Sequence, residues 1–271
     1  MLFPLRDFRR LLGVLVMLLM VGSLSAGVTT YKVKSGDTLY RIALAHKTSV
    51  SALKSLNGIK DERKLQVGQI LKLSASSRSG SSSSSSKSAP YARVGVGKRI
   101  VIDPGHGGRD KGAIWGGVRE SDLNMKVCRE LETILKGRGY STVMTRRSDT
   151  FVSLTQRAAI ANRYRNAIFV SVHFNATRET WVKGAETYYA GAAGRSLATA
   201  IHGEMLRRLE LRNRGVRLAR FTVLMQTRCP AVLVECGYIS NSKERRRCAT
   251  TSYCQTAAMA IAEGIRKYRW R

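Results

Sequence analysis

Two histidines and two glutamates are the residues of this 271-residue chain whose types and positions could perform hydrolytic chemistry. They lie near the ends of predicted strands or the starts of predicted helices, and they are His106, Glu120, His173 and Glu235. Two imidazoles and one carboxylate can hold a zinc ion and leave its fourth position open to water. A second carboxylate beside that water can accept and return its proton. The four residues together predict a zinc hydrolase.

The segments that must position these residues alternate between strands and helices. Apolar runs predict strands at 100–103, 142–145, 168–173, 185–189 and 231–235. Apolar residues at helical spacing predict helices at 123–135, 153–164, 196–211 and 252–268. This alternation predicts an α/β domain with a twisted, mostly parallel sheet and helices on both faces. Sites in such sheets lie beyond the strand ends, where we expect His106, His173 and Glu235.

Each of these residues has a structural alternative when it is considered alone. His106 is flanked by glycines, and a tight turn with an incidental histidine also fits that pattern. Glu120 precedes a predicted helix, where the helix dipole alone favours a carboxylate. His173 could be a core histidine that ends an apolar strand. Glu235 is harder to explain in this way, because a carboxylate after Ala-Val-Leu-Val is expected to be partly buried and therefore to need a partner.

Several ordered motifs lie between residues 99 and 268. They include Val101-Ile-Asp-Pro-Gly-His-Gly-Gly, Glu120-Ser-Asp-Leu-Asn, Ser171-Val-His-Phe-Asn-Ala and Pro230-Ala-Val-Leu-Val-Glu-Cys-Gly-Tyr. Their combination resembles the type 3 catalytic domain of the zinc-dependent N-acetylmuramoyl-L-alanine amidases. The resemblance implies that His106, Glu120 and His173 bind Zn²⁺ and that Glu235 is the catalytic carboxylate. The implied reaction is hydrolysis of the amide bond between N-acetylmuramic acid and the first L-alanine of the peptidoglycan stem peptide.

Residues 29–74 predict a separate small α+β module. A strand enters a turn in Tyr31-Lys-Val-Lys-Ser-Gly-Asp-Thr-Leu, two short helices follow with Ser51 as N-cap of the second, and residues 65–73 supply a closing strand. The whole resembles a LysM module, a family that binds polymers containing N-acetylglucosamine. The resemblance implies a glycan-binding groove near Gly36, Asp37, Thr38, Asn57 and Gly58. For Gly36 and Asn57, a role confined to turns and caps explains the pattern at least as well.

The segments that flank the module predict export and a flexible tether. Residues 1–27 combine a basic start, an apolar run and small residues at a possible cleavage site, as in a signal peptide. The apolar run is shorter than the roughly 20 residues of a membrane span, so no permanent span is expected, although an uncleaved anchor is an alternative. Residues 75–98 are rich in serine and predict a linker. We therefore expect an exported protein, periplasmic or associated with the cell wall, whose catalytic domain occupies residues 99–271.

The formal net charge of +29 is spread along the chain and favours contact with polyanions. Because no nucleic-acid-binding motif is present, we expect peptidoglycan as the partner, with an anionic envelope surface as a further candidate, and no nucleic acid. A basic solvated surface without a specific partner is the alternative. The five cysteines contain no C-x-x-C pair, which disfavours a cysteine zinc site. Cys248 and Cys254 are close enough in sequence to form a disulfide after export.

Relatives that act in Gram-negative cell separation often carry an inserted helix that blocks the zinc until an activator binds. Here the segment 190–213 contains one predicted helix and has no room for such an insertion. We therefore expect an active site open to solvent and controlled by localisation and by the glycan-binding module.

Two other functions are compatible with parts of the sequence. A serine penicillin-binding enzyme would use the pattern S-x-x-K, which begins at Ser51, Ser84 and Ser240. This short pattern arises by chance in a chain rich in serine and lysine, and its first two occurrences lie in the module and the linker. A wall-binding protein with a decayed amidase domain is the alternative without catalysis. The presence of all four site residues argues against decay.

Overall fold

The computed structural model describes residues 29–34, 37–46, 48, 50–61, 65–73 and 97–270. The predicted signal peptide of residues 1–27 and most of the predicted serine-rich linker lie outside these described residues. Within the described ranges, no helix is both long enough and apolar enough to cross a lipid bilayer.

The described residues form ten strands and eight helices, with the following bounds in chain order. They are β1 (Thr30–Lys32), α1 (Leu39–Ala45), α2 (Val50–Asn57), β2 (Ile70–Lys72), β3 (Arg99–Pro104), β4 (Ile114–Trp115), β5 (Val118–Arg119), α3 (Glu120–Gly137), β6 (Ser141–Met144), α4 (Leu154–Asn162), β7 (Ala167–Asn175), β8 (Ala185–Tyr189), α5 (Gly191–Leu209), β9 (Asn213–Leu218), α6 (Thr222–Met225), β10 (Ala231–Tyr238), α7 (Ser242–Cys248) and α8 (Thr251–Lys267).

The larger domain is built on a six-stranded sheet with the order β6-β3-β7-β10-β8-β9. Strands β6, β3, β7 and β10 are parallel, β8 is antiparallel to β10, and β9 is parallel to β8. Parallel neighbours require crossover connections, and the helices between the strands provide them. The sheet confirms the predicted α/β class with mostly parallel strands.

The two faces of this sheet are covered unequally. Helices α3, α5 and α8 pack on one face with the large apolar core, to which Val170 and Val234 belong. The short helices α4 and α6 cover part of the other face, with a smaller cluster that includes Phe169 and Leu233. Since strand residues alternate between faces, His173 and Glu235 lie on the same face as that smaller cluster.

The small N-terminal unit pairs β1 with β2 in antiparallel orientation, with α2 packed against β2 and α1 packed against α2. Its core contains buried apolar side chains from both helices and from the strand region, including Leu39, Ile42, Leu53 and Leu71. The predicted α+β module is therefore present. The N-cap assigned to Ser51 is wrong, because α2 begins at Val50 and Ser51 lies inside the helix.

The five cysteines are free thiols, so the Cys248–Cys254 disulfide considered from the sequence is not formed. The Sγ atom of Cys254 instead donates a hydrogen bond to the backbone oxygen of Cys248 at 3.5 Å. Both side chains are buried in the large core, where a thiol packs as a small apolar group.

Candidate metal centre and active site

Three of the predicted site residues converge at one point of the structure. The possible ligand atoms of His106, Glu120 and His173 all lie within 4.8 Å of one another. His106 follows β3, Glu120 is the first residue of α3, and His173 lies in β7. Along the chain, the nearest two of these residues are 14 positions apart. They come together in space because β3 pairs with β7 and because α3 begins beside these two strands.

Glu235 completes the site from the neighbouring strand. In the register of the sheet, Glu235 of β10 pairs with His173 of β7 on one side and with Glu186 of β8 on the other. The three side chains therefore form a row across the same face of the sheet. Their predicted place beyond the strand ends is wrong for His173 and Glu235, which lie inside their strands near the carboxyl ends. Only His106 lies past the end of its strand.

Glu120 is the centre of the cluster. Its Oε1 atom lies 2.8 Å from Nδ1 of His173 and 3.1 Å from Nε2 of His106. Its Oε2 atom accepts a hydrogen bond from the backbone nitrogen of Ala113 at 3.0 Å. Burial would raise the pKa of this carboxyl, but the hydrogen bonds and charges of the two imidazoles hold it well below its ordinary value. Glu120 is thus an anion fixed between two imidazoles.

The donor set of this cluster fits a zinc ion. Two imidazole nitrogens and one carboxylate are a common set of protein ligands in catalytic zinc sites. A carboxylate also supports one of the ligands from outside, because Oδ2 of Asp110 lies 2.8 Å from Nδ1 of His106. Such a contact orients the imidazole ring and leaves its other nitrogen to face the metal.

The carboxylate of Glu235 lies in an unusual environment beside the cluster. Its Oε2 atom is buried and has no hydrogen-bond partner among the described residues. Burial raises the pKa of Glu235 well above its ordinary value, and the negative charges of Glu120 and Glu186 raise it further. Burial of a polar atom without a hydrogen-bond partner lowers the stability of the fold, and a water molecule or a substrate atom could supply the missing hydrogen bond. This geometry gives the site a candidate proton acceptor next to residues that could hold a metal ion.

The loop that carries His106 is held by two buried arginines. Arg146 donates to the backbone oxygens of Pro104 at 2.9 Å and Gly105 at 2.8 Å. Arg157 donates to the oxygens of Pro104 and His106, each at 2.7 Å. His106 itself has a φ of 58°, a left-handed conformation that costs a side-chain-bearing residue about 1–2 kcal/mol. The arginines therefore hold a strained candidate ligand in place, a role that the sequence patterns alone did not indicate.

The predicted glycan-binding residues serve the folding of the small module as far as the structure describes them. Oδ2 of Asp37 accepts hydrogen bonds from the hydroxyl of Tyr31 and the backbone nitrogen of Lys34, and Oγ1 of Thr38 accepts one from the start of α1. Asn57 exchanges hydrogen bonds with the backbone of β2, and Gly58 has a φ of 63°. Gly36 lies outside the described residues. Their contact with a glycan stays a prediction.

Both predicted domains of the chain match known protein families. Residues 100–267 match the family Amidase_3, described as N-acetylmuramoyl-L-alanine amidase, and residues 31–74 match the LysM domain. The N-acetylmuramoyl-L-alanine amidase LytC of Bacillus subtilis (strain 168) is 36% identical over 177 residues, which cover 64% of this chain and 36% of LytC. The chain thus spans little more than a third of that relative.

Two solved structures share the fold of the larger domain. The amidase AmiC2 of Nostoc punctiforme is 40% identical with a TM-score of 0.62, and the match covers 65% of this chain and 100% of AmiC2. The catalytic domain of CwlV, an amidase of Bacillus (Paenibacillus) polymyxa var. colistinus, is 36% identical with a TM-score of 0.61. That match covers 63% of this chain and 97% of the CwlV domain.

Proposed function

Because this chain belongs to the N-acetylmuramoyl-L-alanine amidase family, we propose that it hydrolyses the amide between N-acetylmuramic acid and L-alanine in peptidoglycan, with Zn²⁺ as cofactor. The observation that carries this proposal is the convergence of His106, Glu120 and His173 beside a buried carboxylate oxygen of Glu235 that has no partner among the described residues. A metal-ligand set and a proton acceptor on the strand next to one of those ligands are the two parts that amide hydrolysis by water needs.

The reaction divides the work between the metal ligands and Glu235. When bound by His106, Glu120 and His173, zinc supplies a Lewis acid that makes a water molecule acidic near neutral pH and polarises the scissile carbonyl. Glu235 accepts a proton from the attacking water as the water oxygen bonds to the carbonyl carbon. The carbon–nitrogen bond then breaks, and Glu235 delivers the proton to the leaving amine of L-alanine. Water is consumed, and a carboxylic acid and an amine are formed.

The surroundings of Glu235 set its affinity for this proton. A carboxylate in water is a weak base, with a pKa of about 4.3. Burial first, and then the charges of Glu120 and Glu186, raise the proton affinity of Glu235 above that value. A bound Zn²⁺ would act in the opposite direction, because its positive charge near Glu235 would stabilise the carboxylate that accepts the proton.

The small module and the linker give the enzyme its location. We propose that the LysM module binds the glycan strands and that the serine-rich linker lets the catalytic domain reach nearby stem peptides. Tethering raises the effective concentration of substrate without a new contact at the active site. Export by the predicted signal peptide would place the enzyme in the periplasm or wall, where it would act in cell separation or wall remodelling.

The alternatives from the sequence have less support from the described residues. Ser240, the remaining serine of an S-x-x-K pattern within the catalytic domain, is 2% exposed and accepts a hydrogen bond from the backbone nitrogen of Thr177. Its partner in the pattern, Lys243, is exposed. A nucleophilic serine needs an accessible oxygen and a nearby base, which this arrangement does not favour. A binding protein without catalysis would have no use for a buried carboxylate oxygen that lacks a hydrogen-bond partner among the described residues.

Digestion of purified sacculi tests the proposal directly. Incubation with the zinc-loaded protein should release intact stem peptides that begin with L-alanine, identified by mass, and leave the glycan strands uncut. A zinc chelator should stop the release, and added zinc should restore it. Release that continues after the metal is removed, or products cut within the peptide or the glycan, would contradict the proposal. Covalent labelling by a β-lactam would instead indicate the serine mechanism.

A further inference from the structure

Glu186 of β8 is a second carboxylate on the face of the sheet that carries the proposed catalytic residue. It pairs directly with Glu235 in the antiparallel register of β8 and β10. Opposite residues of such a pair have their Cβ atoms about 5 Å apart and point to the same side. Glu186 therefore lies one strand farther from the metal ligands than Glu235 does.

Four donors hold the Glu186 carboxylate in place. Its Oε2 atom accepts hydrogen bonds from the side chain of Asn175 at 3.0 Å, from the hydroxyl of Tyr188 at 2.8 Å and from that of Tyr238 at 3.0 Å. Its Oε1 atom accepts one from Nε of Arg214 at 3.1 Å. Glu186 is only 3% exposed, so the carboxylate is an internal anchor and does not face solvent as a free acid.

A backbone irregularity brings Arg214 to this anchor. The pairing of β8 with β9 contains a bulge in which Arg214 and Gly215 of β9 stand opposite the single residue Glu186. Gly215 has a φ of 102°, which a glycine adopts without the strain that a side chain would add. Bulges redirect side chains and are frequent beside active sites. Here the bulge turns a guanidinium towards the row that contains Glu235.

A second arginine adds positive charge at the same place. The Nη2 atom of Arg217 lies 3.8 Å from Oε1 of Glu186, and its Nε and Nη2 atoms donate to the backbone oxygen of Arg214. The Arg217 side chain is 55% exposed and that of Arg214 is 26% exposed. Two guanidinium groups against one carboxylate leave a surplus positive charge at the solvent-facing rim. On the opposite side of the cluster, near His106, the negative charges of Asp110 and Asp149 offset the positive charges of the basic residues in that loop.

We propose that Arg217, positioned with Arg214 by Glu186, binds a free carboxylate of the stem peptide on the leaving-group side of the scissile amide. This inference rests on the proposed amidase function. The second residue of a stem peptide is joined to the third through its side-chain carboxyl, which leaves its α-carboxylate free. Two residues of extended chain span roughly 7 Å, so this carboxylate lies about one strand and a side chain away from the bond that is cut. Both arginines lie on β9, two strands or about 10 Å from β10, and their side chains reach back to Glu186, which is one strand from Glu235.

A comparison of two substrates tests the assignment. The first is N-acetylmuramoyl-L-alanyl-D-glutamate whose γ-carboxyl is blocked as an amide, so that only the α-carboxylate is free. The second is the same compound with its α-carboxylate also converted to an amide. For the zinc-loaded full chain, we expect kcat/KM to be about fivefold higher for the acid, the upper range for an exposed ion pair. In Arg217→Gln the ratio should fall to about one. Arg246→Gln is the matched control, because it removes an equal charge from an exposed position on α7.

The outcomes separate this inference from the function on which it rests. If the unchanged protein hydrolyses both substrates equally well, or if Arg217→Gln keeps the preference for the acid, the carboxylate site is wrong while the amidase function stands. If the unchanged protein hydrolyses neither substrate, the proposed function fails and the inference fails with it. Calorimetry with the released dipeptide gives a readout independent of turnover, and Arg217→Gln should weaken binding of the acid but not of the amide.

Discussion

At the scale of single residues, Glu235 combines an unfavourable environment with the most direct chemical role that we propose for any residue of the site. Its buried Oε2 atom has no hydrogen-bond partner among the described residues. Leaving a buried polar atom unsatisfied costs about 1–3 kcal/mol, and burial of a negative charge near Glu120 and Glu186 adds to that cost. A protein retains such a group where its chemistry is needed.

Replacement of this carboxylate should separate stability from activity. We expect Glu235→Gln to lower kcat on muramyl dipeptide by at least about 100-fold, because the amide cannot accept the proton of the attacking water. The melting temperature should stay unchanged or rise, since a buried charge is removed. Zinc content, measured on the purified variant, should match that of the unchanged protein. Full turnover by the variant would remove Glu235 from the mechanism, and loss of zinc would place it among the ligands.

A glycine is needed at position 105 because the ring of His173, a proposed zinc ligand, leaves no space for a side chain there. A Cβ atom on Gly105 would lie 2.2 Å from Cε1 and 2.3 Å from Nε2 of His173. We therefore expect Gly105→Ala to displace the imidazole and to weaken zinc binding by at least about tenfold, the lower range for disturbed support of a ligand. Competition with a fluorescent zinc chelator measures this affinity.

Gly203→Ala is the matched control for that substitution. Gly203 lies in α5, and an added Cβ there would meet nothing within 4 Å. Alanine in a helix interior should stabilise the protein by about 0.5–1 kcal/mol and leave zinc affinity unchanged. If the two variants bound zinc equally well, the crowding of His173 by Gly105 would have no functional consequence.

The residue types of the site could be predicted from the sequence, whereas part of its surroundings could not. His106, Glu120, His173 and Glu235 follow or begin recognisable segments, and their chemistry is specific. The role of Glu186 depends on its pairing with β10, and that of Arg214 on a bulge. Both arise from contacts between distant segments, which no local pattern encodes.

At the scale of secondary-structure elements, strong apolar patterns predicted the structure well and polar segments did not. Strand β8 has its predicted bounds, and α3 extends the predicted helix to Glu120, which is why this residue reaches the histidines. Strand β9 and helix α7 were missed, because Asn-Arg-Gly-Val-Arg-Leu and Ser-Lys-Glu-Arg-Arg-Arg-Cys have little apolar periodicity. Their positions are set by the edge of the sheet and by tertiary packing.

Arg157 joins α4 to β3 through an ion pair that is almost completely buried. Its Nη1 atom lies 2.7 Å from Oδ1 of Asp103, and their side chains are 3% and 1% exposed. Asp103 also accepts a hydrogen bond from the hydroxyl of Ser171 at 2.7 Å. Removal of one member of a buried pair leaves an uncompensated charge, which costs about 3–5 kcal/mol. We therefore expect Arg157→Met to destabilise the catalytic domain by that amount.

A double-mutant cycle measures the coupling across this pair. Asp103→Asn combined with Arg157→Met should cost at least about 1 kcal/mol less than the sum of the single changes, because the orphaned charge is gone. Urea unfolding followed by tryptophan fluorescence reports on the catalytic domain alone, because Trp115, Trp181 and Trp270 all lie beyond residue 97. Additive single and double effects would show that the pair is not energetically coupled. Zinc affinity should also fall in both variants that lack Arg157, which holds the backbone of His106.

At the scale of the whole molecule, the chain contains two units with separate apolar cores. The core of the small module is formed by its own buried residues, while the catalytic domain has a large and a smaller cluster on the two faces of its sheet. Separate cores allow each unit to keep its fold when the segment between them changes. One helix, α5, lies between β8 and β9, as the sequence predicted for this segment.

Removal of the small module should therefore change where the enzyme works and leave its chemistry intact. We expect a chain that begins at residue 97 to hydrolyse soluble muramyl dipeptide with the kcat/KM of the full chain. At low enzyme concentration, its rate on sacculi should fall by about tenfold or more, because the tether no longer raises the local concentration of stem peptides. Saturating enzyme should reduce that difference, since tethering affects encounter and not turnover.

As a control, a full chain whose residues 75–96 are replaced by a glycine–serine segment of equal length should retain the rate on sacculi. Equal rates on sacculi with and without the module, at every enzyme concentration, would mean that glycan binding does not target this enzyme.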